Sequence, residues 1–129
     1  MRKVFLITIS VLLSTMVHSQ DIRIKDGIIF IDSKECLKIN DHDPNNVSIM
    51  DLEGNEIIFL RYIHFSKYAE VYNKITFLDQ KLTFTTKFYI FTKKLLIKKL
   101  LEDKTLENCK LNPAKVERFA IKFDENVEK

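Results

Sequence analysis

Asp21-Ile22-Arg23-Ile24-Lys25-Asp26-Gly27-Ile28-Ile29-Phe30-Ile31 is the stretch on which the fold turns. Isoleucines stand on both sides of Asp26-Gly27, a pair suited to the two positive φ angles of a type I′ turn, so the stretch reads as a tight hairpin. Working outward, Asp32-Ser33-Lys34 forms a second turn and sends Cys36-Leu37-Lys38-Ile39 back along the hairpin. Residues 47–50 and 57–65 flank Asp51-Leu52-Glu53-Gly54, where Gly54 can take the left-handed position that closes a loop with a bulge. Runs at 74–78 and 82–84 alternate around Asp79-Gln80-Lys81 as one more hairpin. Short β-branched and aromatic runs separated by turn residues are the signature of an antiparallel meander, here of about five to seven strands.

The period changes near Phe91. Thr92 can cap a helix in which Leu96, Ile97, Leu100 and Leu101 make one apolar stripe opposite Lys94, Lys98 and Glu102. Asn112-Pro113 is a stronger start signal, because Asn caps free amides and Pro at the first helical position loses nothing by lacking its own. Val116, Phe119, Ala120 and Phe123 then define an inner face. Helices of about three turns are marginal alone, so both should dock on the sheet or on each other. The polar residues from Asp124 onward are expected to fray. The fold class is α+β: a single domain over 20–129, β-rich at 20–91 and helical at 92–129.

Residues 1–19 read as an export signal. Arg2 and Lys3 precede an uncharged apolar stretch at 4–17, and Val17-His18-Ser19 suits a signal peptidase that cuts before Gln20. The stretch has 14 residues, broken by Thr8, Ser10, Ser14 and Thr15. A spanning helix needs about 20, which weighs against a retained anchor. Neither cysteine follows the stretch closely enough for a lipoprotein. An export signal with abundant Lys, Ile, Asn and Phe suggests a bacterial envelope protein, periplasmic or secreted.

The whole chain has 21 Lys and Arg against 18 Asp and Glu. With Arg2 and Lys3 removed, the remainder is nearly neutral. Nucleic-acid binders draw their affinity from a clustered basic excess, so that class is disfavoured. Cys36 and Cys109 can bridge in an oxidising compartment. The alternative is two unpaired thiols, packed as small apolar groups.

Chemical motifs are scarce. Glycine occurs only at Gly27 and Gly54, which excludes a glycine-rich phosphate loop or dinucleotide fingerprint. Beyond the leader only His42 and His64 remain, without a zinc-hydrolase or nucleophile-elbow pattern. Asp41, Asp43 and Asn45 match the first, third and fifth places of a calcium loop, but Asn46 and Leu52 fill the sixth and twelfth. A connecting loop explains them better. Cys36 with His42 or His64 could form a thiolate and base pair, though no spacing brings them together. No catalytic residue, metal ligand or cofactor is assigned. Asn46-Val47-Ser48 is a glycosylation acceptor only in a eukaryotic host.

Two stretches could form a contact surface. The basic amphipathic segment 93–102, with Lys94 and Lys98 outward, has the composition of a helix lying on an anionic bilayer. It equally fits a docked surface helix, and the following acids with the lack of Trp favour that reading. Arg61, Tyr62, His64, Phe65, Lys67, Tyr68 and Tyr72 mix basic and aromatic side chains, as protein- or glycan-binding strands do. The leading expectation is a non-catalytic binding or envelope-associated module whose partner is a protein or other envelope component. A membrane-surface protein using the 93–102 helix is the alternative, and a small thiol-dependent enzyme a distant third.

Overall fold

The structure, a computed structural model, describes residues 20–129; the leader expected at 1–19 and the side chain of His42 lie outside that description. Seven antiparallel strands follow one another in sequence and in space: β1 (Ile22–Lys25), β2 (Ile28–Ile31), β3 (Lys34–Asp43), β4 (Asn46–Met50), β5 (Glu56–His64), β6 (Val71–Phe77) and β7 (Leu82–Thr86). Helix α1 (Lys93–Glu102), a hairpin of β8 (Leu106–Glu107) and β9 (Lys110–Leu111), and helix α2 (Pro113–Phe123) follow. The α+β meander with two C-terminal helices read from the sequence is the observed fold.

The turns work as their residues dictate. Asp26 and Gly27 have φ of 52° and 77°, the double left-handed conformation of the type I′ hairpin. Asp32 and Ser33 repeat it at 53° and 69°, and the Asp32 carboxylate accepts the Asp21 amide at 2.9 Å to close the other end of that hairpin. Thr92 Oγ1 accepts the Leu95 amide, and Asn112 Oδ1 accepts that of Ala114, so both expected helix caps are in place.

One face of the sheet is the core. Ile29, Leu37, Ile49, Ile58, Leu60, Ile75 and Phe77 are fully buried on it, under Leu96, Ile97 and Leu100 of α1 and Val116 and Phe119 of α2. Helix α1 lies against β1, and α2 against β7. Leu101, expected in the stripe, is only partly buried. The aromatic centre of the core is Phe119, whose ring lies 4.8–6.4 Å from those of Phe77, Phe84, Phe91 and Phe123. Asn73, buried beside them, accepts the Phe91 amide at 2.5 Å and the Thr86 hydroxyl at 3.3 Å, fixing the segment that leaves β7 for α1.

A register shift between β2 and β3 aims one side chain. Ile29 pairs with Leu37 and Phe30 with Glu35, so Cys36 is an extra residue on β3. Such a bulge turns its residue out of the alternation, and Cys36 is buried next to an equally buried Leu37. Its sulfur bonds to that of Cys109, with Cα atoms 5.1 Å apart. Of the two fates open to the cysteines, the bridge is the one observed. Cys109 sits with Asn108 in the tight turn joining β8 to β9, both at positive φ, in a hairpin that sequence reading left unassigned.

Two further expectations need correction. Strand β3 continues through Asp41 to Asp43, so the connection to β4 shrinks to Pro44-Asn45. The residues after Asp124 do not fray. The Asp124 carboxylate accepts the Thr85 amide, the Glu125 amide donates to Thr85 O, and the Val127 amide donates to Thr85 Oγ1. Glu128 then accepts the Tyr72 hydroxyl at 2.6 Å and pairs with Lys74 at 3.1 Å. Lys74 lies on the face turned away from the helices, so the tail passes round the edge of β7 and covers hydrogen-bonding groups that would otherwise be exposed.

Glu125 anchors this seal: its carboxylate accepts the amides of Lys87, Phe88 and Tyr89 at 3.0–3.2 Å. Partial burial pushes the carboxyl upward, but the three amides outweigh it and hold the group below its ordinary value. A depressed folded-state value means that the contribution is complete above pH about 4.5 and is lost as pH falls through the folded value. Glu125→Gln should therefore lower stability by about 1–2 kcal/mol at pH 7 and flatten the acid-side decline. Urea unfolding of both proteins at neutral pH and at pH 3 measures this. An equal loss at both pH values refutes the charge-based account.

Candidate binding surface

Three connections meet at one end of the sheet, as the terminal pairs Asp43 with Asn46, His64 with Val71, and Asn73 with Thr86 define. They are the β3–β4 turn, the β5–β6 loop at 65–70, and the segment 87–91 leading to α1. Asn45 joins the first two: its Oδ1 lies 2.9 Å from His64 Nε2, and its carbonyl accepts the Tyr62 amide. Asp43 caps its own turn by accepting the Asn45 amide and the Asn46 side-chain amide, which hold its carboxyl below the usual range. Asp41 pairs with Lys93 and so ties the start of α1 to the same end.

Two large rings project from this end. Phe65 is 89% exposed and Phe88 87% exposed, and of the nine described Phe residues only these two are exposed. Neither loop is slack. Phe65 has φ of 53°, a conformation that disfavours a bulky side chain, and its amide donates to Glu70 O at 2.7 Å while Ser66 N donates to Ala69 O. Phe88 rides on the three amides gripped by Glu125. Lysines accompany both loops, with Lys87 Nζ 5.1 Å from the Phe88 ring centroid and Lys67 Nζ 5.2 Å from that of Tyr68.

The residues singled out from the sequence are divided by the fold. Lys67 and Tyr68 are at this end, and Lys94 joins them in the exposed first turn of α1. Lys98 is exposed one turn further along. Arg61 lies beside Lys74 on the outer face of the sheet. Tyr62 turns inward and donates its hydroxyl to Phe91 O at 2.8 Å, and burial raises its pKa. Phe88 was missed, although Phe88-Tyr89-Ile90-Phe91 is a run too continuous for every member to face inward.

At the opposite end a cleft of about 410 Å³ opens beside the disulfide, walled in part by Ile57, Glu53, Asp79 and Gln80. The Gln80 Oε1 atom is buried with no hydrogen-bond partner among the described residues. Among those residues no group of His, Cys, Asp and Glu is placed to hold a metal ion, and no helix is long and apolar enough to cross a membrane. No protein family matches the chain, and no curated protein or solved structure does so either.

Proposed function

We propose that the protein is an exported, non-catalytic binding module that engages an envelope component through the loop end of its sheet. The observation that carries this reading is the pair Phe65 and Phe88, two rings held out in water by braced backbone. Exposed aromatic groups whose positions are already fixed lose little entropy on contact, which is what binding hot spots require. The alternatives draw less support. Leu96, Ile97 and Leu100 face the core, so α1 would have to undock before lying on a bilayer. Both sulfurs are in the bridge, which leaves no thiolate for a thiol-dependent enzyme.

Amide hydrogen exchange with and without the envelope fraction of the producing cells tests the proposal. Protection is expected at 65–70 and 87–89, and no change around Ile121, which is exposed on α2. Unchanged exchange at both loops refutes it.

A further inference from the structure

We infer that the cleft at the opposite end of the sheet is a second binding site, which takes a small organic cation: an ammonium or guanidinium group on an apolar body. It is independent of the loop-end reading above. The volume of about 410 Å³ falls within the range of small-molecule sites, about 300–1,000 Å³. One wall is the β4–β5 loop with Leu52, which is 44% exposed, and another is the turn of Asp79 and Gln80 between β6 and β7. The third is the β8–β9 hairpin, which the bridge from Cys109 to Cys36 pins to β3. A wall fixed in this way does not have to be ordered when a ligand enters. Ile57 and Leu111, both half-buried, add apolar lining.

Charge selects the ligand. Asp51, Glu53 and Asp79 line the cleft against one base, Lys110. Asp51 stays ionised: its carboxylate accepts the Asn55 side chain and the amides of Asn55 and Glu53, which hold its pKa below the ordinary value. The residues next along the chain add Glu35, Glu56 and Glu107 against Lys81, all exposed, so the acidic excess grows as the boundary is widened. The N-terminus of α2, at Pro113, is the other positive feature, but Asn112 already caps its Ala114 amide. Among the described residues no group of His, Cys, Asp and Glu converges to hold a metal ion, so these separated carboxylates suit a larger organic cation better than a bare metal. Gln80 leaves its Oε1 atom buried and unpartnered among the described residues, an acceptor for a bound N–H once the side chain turns into the cleft.

The test follows the amide NMR shifts of the oxidised protein, recovered from producing cells, as phenethylamine is added at low salt. Saturable shifts at 51–57, 79–81 and 108–111 are expected, with a Kd of about 10 mM or tighter for a fragment of this size. Phenethyl alcohol and hydrocinnamate share the apolar body without the positive charge, and each should bind about fivefold more weakly or worse. The Glu53→Gln, Asp79→Asn variant should lose a similar factor for phenethylamine. Both side chains are exposed, so thermal unfolding of that variant should match the parent and separate a lost site from a lost fold. Glu117→Gln, exposed on α2 and outside the cleft lining, should leave binding unchanged. Shifts that do not saturate, that fall elsewhere, or that the alcohol reproduces at equal strength overturn the inference. Contact at the loop end is read separately at 65–70 and 87–89, so either reading can fail without the other.

Discussion

Replacing Cys36 and Cys109 together by Ala should destabilise the domain by about 4 kcal/mol, because the bridge closes a loop spanning 73 residues and removes that freedom from the unfolded chain. For a domain of this size the melting temperature should fall on the order of 15 °C. The bridge also couples parts that share little else: Cys36 belongs to β3, and Cys109 to the hairpin between the helices. Reduced wild-type protein should reproduce the shift in thermal unfolding. A loss below about 1 kcal/mol in both experiments, against the range expected for native disulfides, would mean that the link adds little to a helix layer already held by packing.

The second large effect is Phe119→Ala, expected to cost about 4 kcal/mol. Phe119 is 1% exposed and meets four other phenylalanine rings, two of them on β6 and β7. Its removal opens a void at the seam between α2 and the sheet, where the surrounding rings are too constrained to collapse fully. Ile121 on the same helix is 70% exposed, and Ile121→Ala should change stability by no more than about 0.5 kcal/mol. Equal effects from the two substitutions in urea unfolding would show that α2 does not pack as described.

Where local chemistry decides, the sequence was readable. Asp26-Gly27, Thr92 and Asn112-Pro113 each have a backbone geometry that few other residues supply, and each stands where expected. The unread parts depend on distant partners. The β8–β9 hairpin has two-residue strands, too short for any period, and its turn puts Cys109 at φ 62° with no residue preference to announce it. The bulge at Cys36 has no local mark either, since its purpose is set by a sulfur 73 positions away. The tail looked free because its acids seemed to face water. Their acceptors instead find backbone amides of β7 and the segment after it, an arrangement visible only in three dimensions. Half of the candidate surface, Lys67 and Tyr68 with Phe65, could be named beforehand. Phe88 needed the path of the chain beyond β7.

The strictly sequential strand order bears on how the molecule assembles. Each pairing in the seven-stranded sheet joins neighbours along the chain, so zippering can advance hairpin by hairpin with only short closures at every step. Oxidation is expected to follow that zippering, since the native fold brings the two thiols together through the hairpin between the helices, 73 positions along the chain from Cys36. An oxidant acting on the nascent polypeptide would encounter partners far apart, and maturation of the covalent link should lag behind collapse.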